Sequence, residues 1–189
     1  MRVISGVCGG LPLKSLDGQT TRPTTDKVKE SMFNIIGPYF DGGQALDLFA
    51  GSGGLGIECL SRGIDQVVFV EKDARAIEIV KQNLAFCKMG DKAVLVKRYA
   101  IQAIRELSGH YQFDYVFMDP PYKMAEKIPE LIEEMVQAKI VNTDCIFVCE
   151  SGSETNFPDE LIYAERFREG KYGTIRVSFY QLKEGVING

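Results

Sequence analysis

The sequence is poor in the residues that build metal sites and disulfide frameworks. Its 189 residues include one histidine, His110, and five cysteines, none of which form a C-x-x-C pair. Structural zinc requires four Cys or His ligands at short spacings, and a disulfide framework requires paired cysteines in an oxidising compartment. We therefore expect neither a metal site nor a disulfide framework.

Long apolar runs and a strong charge of one sign are also missing. No stretch approaches the roughly 18 consecutive apolar residues of a membrane-spanning helix, and the N-terminus lacks the apolar segment of a signal peptide. The net charge of −4 provides no general attraction to nucleic acid. The hydrophobic fraction of 45% and the charged fraction of 25% are typical of a globular protein. We expect a cytoplasmic protein without a membrane partner.

The apolar pattern predicts a chain in which strands and helices alternate. A Gly-rich N-terminal arm and one amphipathic helix, which ends before Gly37-Pro38, occupy residues 1–40. Residues 41–189 predict an α/β core, so that residues 1–189 form a single domain. Strands are predicted at 44–49, 66–71, 92–97, 113–119 and 145–150, helices at 73–88, 101–107 and 125–138, and a C-terminal antiparallel hairpin at 161–168 and 173–182. The buried-looking strands indicate a mostly parallel sheet.

A glycine-rich segment lies where the first predicted strand gives way to a helix. Gly51, Gly53 and Gly56 satisfy G-x-G-x-x-G, a pattern that allows a tight turn and brings a ligand close to backbone N–H groups. Glu71 closes the second strand, where a carboxylate can accept hydrogen bonds from two ribose hydroxyls. Both a nicotinamide dinucleotide and S-adenosylmethionine fit this pattern. Asp47 favours the latter, because its carboxylate suits the ammonium of a methionine moiety and would repel a pyrophosphate.

The fourth strand ends in Asp119-Pro120-Pro121-Tyr122. Two prolines restrict the backbone, so the Asp119 carboxylate and the Pro120 carbonyl can act as a rigid pair of acceptors. Such a pair suits the two N–H groups of an exocyclic amine, and Tyr122 offers a ring on which an extruded base can stack. We therefore predict transfer of a methyl group to a base amine.

The chain resembles the bacterial 16S rRNA guanine-N2 methyltransferases, which belong to the class I S-adenosylmethionine-dependent enzymes. The resemblance spans nearly the whole chain, in the order of that family. It is carried by Arg2-Val3-Ile4-Ser5-Gly6, the run from Arg22 to Asn34, the run from Asp47 to Gly53, Ser61-Arg62-Gly63, Asp119-Pro120-Pro121-Tyr122 and Lys171-Tyr172-Gly173.

The resemblance implies a Rossmann-like fold with a seven-stranded sheet, one antiparallel strand and helices on both faces. It implies that Asp47, Gly51 and Gly53 hold the methionine part of the cofactor and Glu71 the ribose, and that Phe49, Tyr99 and Ala100 also bind the cofactor. Tyr99 stands where the family usually has Asp, so either backbone N–H groups and Tyr99 hold the adenine or affinity is weaker. Residues 119–122 would hold the target amine, and Arg22 and Thr24 would lie beside the substrate.

The predicted function is therefore methylation of a guanine N2 amine in small-subunit rRNA, within an assembled or assembling subunit. Three alternatives remain open from the residues. A DNA adenine-N6 methyltransferase uses the same Asp-Pro-Pro-Tyr chemistry, although a chain of this length has little room for a target-recognition domain. A nicotinamide-dependent oxidoreductase would leave that motif unexplained. A catalytically silent cofactor-binding protein that assists ribosome assembly is the third.

Overall fold

A computed structural model of the chain describes residues 1–16 and 25–186. Within these ranges the helices are α1 (Asp26–Ile36), α2 (Gly54–Ser61), α3 (Ala74–Phe86), α4 (Ala100–Leu107) and α5 (Ile128–Gln137), with short 3-10 helices at Gly90–Lys92 and Tyr122–Lys127. The strands are β1 (Gln44–Asp47), β2 (Gln66–Val70), β3 (Ala93–Val96), β4 (Phe113–Met118), β5 (Val141–Gly152), β6 (Ala164–Tyr172) and β7 (Ile175–Leu182).

The chain divides into two compact units, Met1–Ala100 and Ile101–Gly189. The strands of the first unit are parallel and follow the order β3-β2-β1. In the second unit the order is β4-β5-β7-β6, where β4 and β5 are parallel and β7 is antiparallel to both of its neighbours. These are the seven strands of a mostly parallel sheet with a C-terminal antiparallel hairpin, as predicted. The single-domain organisation stays a prediction.

Local sequence signals explain where the helices begin. The Thr25 side chain accepts a hydrogen bond from the Val28 amide at the start of α1, and the Asp73 side chain accepts one from the Arg75 amide at the start of α3. Both are preferred N-cap residues, which satisfy amides that have no partner within the helix. Gly37, followed by Pro38, ends α1 as the sequence predicts.

Four predicted boundaries in the second unit are wrong by three or four residues, among them the start of β6, which is Ala164 rather than residue 161. The helix predicted from residue 125 begins at Ile128, because a 3-10 helix precedes it and Pro129 occupies its first turn. Strand β5 begins at Val141 rather than at residue 145, and β6 continues to Tyr172, so the hairpin turn lies at Gly173-Thr174 rather than at 169–172. In the described parts of the chain, no helix is long and apolar enough to cross a membrane.

The N-terminal arm folds back on itself, as predicted for its described part. Arg2 and Pro12 form an antiparallel bridge, and the Val3 amide donates to the Leu11 carbonyl at 2.9 Å. The Val3 and Leu13 side chains are buried. The arm is therefore packed against the first unit through its own apolar residues.

A buried cluster of three charges lies beneath the arm. Glu58 of α2 is 0% exposed, while Lys29 of α1 is 2% and Arg62 is 4% exposed. The Glu58 carboxylate lies 3.4 Å from Lys29 Nζ and 2.7 Å from Arg62 Nε. Burial lowers the pKa of Lys29, and the neighbouring Glu58 carboxylate opposes that effect. The one carboxylate thus compensates two buried cations.

The same carboxylate fixes the arm. Its two oxygens accept the backbone amides of Ile4 and Ser5 at 2.9 and 3.1 Å. Lys29 Nζ donates to the Arg2 carbonyl at 2.6 Å. Charge-assisted hydrogen bonds of this kind are stronger than neutral ones, particularly away from water. The arm, α1 and α2 are therefore joined through Glu58.

We expect Glu58→Gln to reduce the free energy of unfolding by about 3–5 kcal/mol, because it leaves two buried cations without a counter-charge and turns an amide NH₂ toward backbone donors. Urea denaturation at pH 7 measures this loss. Glu130→Gln is the control, since it removes only the exposed 3.6 Å ion pair with Lys127 and should change stability by less than about 1 kcal/mol. Equal effects of the two substitutions would contradict the stabilising role of Glu58.

Candidate active site

The predicted glycine loop is a tight turn between β1 and α2. The Gly53 amide donates to the Ala50 carbonyl at 2.8 Å, and the Ala50 amide donates to the Val70 carbonyl at 2.9 Å. Gly51 and Gly53 have φ values of +57° and +89°, which residues with a Cβ rarely adopt. A Cβ at Gly51 would have no atom within 4 Å, so this side of the loop is open.

The third glycine of the motif serves close packing. A Cβ added to Gly56 would lie 2.3 Å from Cε1 of the Phe69 ring on β2. Any larger residue would push α2 away from the strand. The motif therefore combines two residues that shape the turn with one that sets the distance between helix and sheet.

Asp47 ends β1 and lies beneath the start of α2. Its carboxylate is 1% exposed and accepts the Gly56 amide at 3.0 Å through Oδ2. Burial raises the pKa of Asp47 to about 7; the Gly56 hydrogen bond lowers it, and the nearby Glu71 charge raises it further. A buried carboxylate with one hydrogen bond and a raised pKa is suited to bind a cation, which would stabilise its ionised form.

Glu71 follows β2 and is already oriented by the backbone. Its Oε1 accepts the Gly51 amide at 3.0 Å, and its Oε2 accepts the Asp73 amide at 2.8 Å. A carboxylate has about four lone-pair sites, so each oxygen keeps capacity for a further donor. Glu71 is partly exposed. The structure thus brings Asp47, Gly51, Gly53 and Glu71 together, as the sequence predicts for a cofactor site.

Tyr99 lies at the end of the third strand of the first unit. Its side chain is 60% exposed, and Lys72 Nζ lies 5.4 Å from the centre of its ring, within the range of a cation–π contact. Lys72 directly follows Glu71. Ala100 is buried at the start of α4, and Phe49, just after β1, is partly exposed. Lys72 is a neighbour of Tyr99 that the sequence analysis did not single out.

The Asp-Pro-Pro-Tyr segment lies in the second unit, directly after β4. Asp119 is partly buried, Pro120 is buried, and the Tyr122 side chain is 71% exposed. Tyr122 begins a 3-10 helix, in which the Met124 amide donates to the Pro121 carbonyl at 2.8 Å. The segment is a short rigid turn that presents an aromatic ring to solvent. Arg22 and Thr24 lie outside the described residues.

One polar residue of this region was missed by the sequence analysis. Asn83 is 2% exposed on α3, and its amide group hydrogen-bonds to the backbone of Ser52 and of Lys14. A signal for it exists in the sequence, because Asn83 falls on the same helical face as Ala76 and Val80. A polar side chain on an apolar face indicates a specific buried partner.

The described residues contain no group of three or more His, Cys, Asp or Glu side chains that could hold a metal ion. The five cysteines are buried free thiols. The acidic groups of the glycine-loop region, Asp47 and Glu71, are arranged to accept hydrogen bonds from donors on a ligand.

Comparison with protein families finds one that spans nearly the whole chain. Residues 1–181 match the family described as Conserved hypothetical protein 95. A Bacillus subtilis protein named "Putative rRNA methyltransferase YlbH" is 43% identical over 182 residues, which cover 96% of this chain and 98% of that protein. "Ribosomal RNA small subunit methyltransferase D" of Escherichia coli is 32% identical over 183 residues, which cover 96% of this chain and 89% of that protein.

Solved structures show the same fold. "Putative methyltransferase yhhF from Escherichia coli" superposes with a TM-score of 0.83 at 29% identity, covering 97% of this chain and 98% of that one. A Streptococcus pyogenes protein described as a conserved hypothetical protein gives a TM-score of 0.78 at 40% identity, covering 84% and 96% of the two chains. The predicted Rossmann-like fold is confirmed by these similarities.

The raised pKa of Asp47 predicts how stability depends on pH. Because the native state holds this proton more tightly than the unfolded state, the contribution is greatest at low pH and is lost as pH rises to about 7. Asp47→Asn removes this titration. We expect the free energy of unfolding of the variant, relative to the parent protein, to rise by about 2–4 kcal/mol from pH 4 to pH 8.

Urea denaturation of the ligand-free protein at several pH values measures this difference. Asp144→Asn is the control, because Asp144 is exposed on β5. A constant stability difference between Asp47→Asn and the parent protein across this pH range would show that Asp47 titrates normally.

Proposed function

Because the chain belongs to the Conserved hypothetical protein 95 family and is 36% and 32% identical to two proteins named "Ribosomal RNA small subunit methyltransferase D", we propose that it methylates the exocyclic N2 amine of a guanine in 16S rRNA. The chain is an S-adenosylmethionine-dependent rRNA methyltransferase. The observation that supports transfer to a base amine is the Asp119–Tyr122 turn after β4, whose acceptors suit the two N–H groups of such an amine. The similarity to proteins named as rRNA methyltransferases favours rRNA over DNA and methyl transfer over nicotinamide-dependent oxidation.

The first unit would hold the cofactor. In this assignment Asp47 pairs with the methionine ammonium, a cation that suits a buried carboxylate oriented by the Gly56 amide. Glu71 accepts the two ribose hydroxyls on the lone pairs that Gly51 and Asp73 leave available. The open side of Gly51 gives the methionine part access to the backbone.

Adenine would lie near the end of β3. We assign Tyr99 and Ala100 to this part of the site, with Phe49 and Gly53 completing the cofactor contacts. The exposed ring of Tyr99 supplies a flat surface on which adenine can stack, a contact that does not require the acidic side chain usual in this family. This assignment explains how the site can function with Tyr99 at that position.

The second unit would hold the target amine. The Asp119 carboxylate and the Pro120 carbonyl accept the two N–H groups, and the exposed Tyr122 ring stacks on the base. This arrangement directs the nitrogen lone pair out of conjugation with the ring. Residues that only position and polarise a reactant can supply much of a rate enhancement.

When bound, S-adenosylmethionine supplies an electrophilic methyl group on a positively charged sulfur. Asp119 and Pro120 would hold the amine so that its nitrogen receives this methyl group, and the proton that the nitrogen then gives up would pass to solvent water. Asp119 would stabilise the positive charge that develops on the nitrogen, because its carboxylate already accepts an N–H of the same amine.

The substrate would be an rRNA that is already part of a folded particle. A chain with a net charge of −4 has little non-specific affinity for a phosphate backbone. Recognition of the shape of an assembled or assembling small subunit supplies the binding affinity that charge does not provide. Arg22 and Thr24 are assigned to contacts with this substrate.

Labelled methyl transfer tests the function directly. Purified protein is incubated with methyl-labelled S-adenosylmethionine and with small subunits, free 16S rRNA or duplex DNA, where the subunits come from a strain that lacks the corresponding methyltransferase. We expect label in N2-methylguanosine, mainly from subunits. Label in N6-methyladenine from DNA would support the adenine-specific alternative, and the absence of label would support a silent cofactor-binding protein.

Substitutions in the two units should separate chemistry from cofactor binding. We expect Asp119→Ala to lower kcat by about 10²- to 10³-fold, the range typical of losing one preorganised hydrogen-bonding group, while the Kd for S-adenosylhomocysteine changes little. Glu71→Ala should instead raise that Kd. Calorimetric titration and the methyl-transfer assay measure the two quantities, with Asp144→Ala as the surface control. Near-normal turnover by Asp119→Ala would exclude its proposed role.

A further inference from the structure

Asn83 makes three hydrogen bonds to two separate parts of the backbone. Its Nδ2 donates to the Ser52 carbonyl at 2.9 Å and to the Lys14 carbonyl at 3.0 Å, while its Oδ1 accepts the Lys14 amide at 2.8 Å. Ser52 belongs to the glycine loop and Lys14 to the N-terminal arm. One buried side chain therefore joins the arm to the loop.

The contact with Ser52 orients a peptide group of the loop. In a trans peptide the carbonyl and the following N–H point in opposite directions. Asn83 holds the Ser52 carbonyl, so the Gly53 N–H points the other way, where it donates to the Ala50 carbonyl at 2.8 Å. Asn83 thus stabilises the turn from outside the turn.

The contact with Lys14 secures the end of the arm that leads into residues 17–24. The opposite end of the arm also reaches the loop, because Met1 Sδ lies 3.9 Å from Ser52 Oγ and would lie 2.8 Å from a Cβ at Gly54. The two ends of the arm are joined by the Leu13 amide, which donates to the Met1 carbonyl at 2.8 Å. Displacement of the loop would therefore disturb the arm, and displacement of the arm would disturb the loop.

We propose that Asn83 is a positioning residue for methyl transfer, which couples the cofactor loop to the N-terminal arm so that each orders the other. The inference rests on the proposed role of the glycine loop in binding the cofactor. Because such coupling is reciprocal, cofactor bound at the loop must reduce the opening of the arm through the same side chain.

Asn83→Ala tests the loop contact. We expect the Kd for S-adenosylhomocysteine and the KM for S-adenosylmethionine to rise about tenfold, the order expected for losing a buried hydrogen-bond network, with kcat at saturating cofactor within about threefold of the parent value. A purely structural defect would instead lower the active fraction, so that kcat would fall and KM would stay unchanged.

Asn142→Ala is the matched control. Asn142 is also an amide that donates through Nδ2 to two acceptors, the Gln112 carbonyl and Asp114 Oδ1, at 3.2 and 2.7 Å. It lies on β5 in the second unit and contacts none of the proposed cofactor residues in these hydrogen bonds. Asn142→Ala should leave the Kd for S-adenosylhomocysteine and the KM for S-adenosylmethionine within about twofold of the parent values, because the substitution lies outside the proposed binding interactions.

Hydrogen exchange tests the arm contact, and its first measurement uses the parent protein alone. In the parent protein and in Asn142→Ala, saturating S-adenosylhomocysteine should slow amide exchange across residues 1–16. In Asn83→Ala, at the same ligand concentration relative to Kd, this protection should be lost at Lys14 and its neighbours, because Asn83 binds the backbone there. If the ligand does not protect residues 1–16 in the parent protein, the proposed coupling is absent.

Glu71→Ala distinguishes failure of this inference from failure of the proposed cofactor site. If Glu71→Ala raises Kd and Asn83→Ala leaves Kd and KM at parent values, the loop binds cofactor but Asn83 does not position it. If Glu71→Ala leaves Kd unchanged, the proposed cofactor site is wrong and the role of Asn83 fails with it. A rise in Kd for both variants, with arm protection dependent on Asn83, supports both proposals.

Discussion

The architecture of the first unit depends on one buried carboxylate. Glu58 is fully buried, so its charge has lost the solvation of water and is stable only because two cations and two backbone amides replace it. These groups come from the arm, α1 and the end of α2. Since Glu58 and Arg62 lie one turn apart on α2, the orientation of that helix is set by the same interaction that holds the arm.

The position of α2 in turn determines the glycine loop that precedes it. Gly56 allows the helix to approach Phe69, and its amide donates to Asp47 at the end of β1. Glu71 holds the Gly51 amide, and Asn83 holds the Ser52 carbonyl. Two peptide groups of the loop, 50–51 and 52–53, are therefore fixed by residues outside it, one directly after β2 and one on α3. A ligand that binds this loop meets a backbone already ordered, which reduces the entropy cost of binding.

Much of this arrangement follows from local sequence signals, and the remainder depends on contacts between distant residues. Apolar runs predict the strands because a parallel sheet buries both faces, and G-x-G-x-x-G predicts the turn because only glycine tolerates the φ values found there. The apolar pattern predicts that α5 begins at residue 125, because that pattern continues through the preceding 3-10 helix. The helix instead begins at Ile128, directly before Pro129, a residue favoured in a first turn. No local pattern identifies the distant partners of Glu58 and Asn83, because Lys29 lies 29 residues from Glu58 and Lys14 lies 69 residues from Asn83.

The two carboxylates of the proposed cofactor site show how a binding site can tolerate like charges. Asp47 and Glu71 repel each other, and burial already disfavours ionisation of Asp47, so its pKa lies near 7. When Asp47 is protonated, the repulsion between the two carboxylates is largely removed. In the proposed assignment, an arriving ammonium stabilises the ionised carboxylate, and the positive sulfonium adds to the attraction. A cofactor product that has lost the sulfonium charge would keep only the ammonium, so the two carboxylates would attract it less strongly than they attract the reactant.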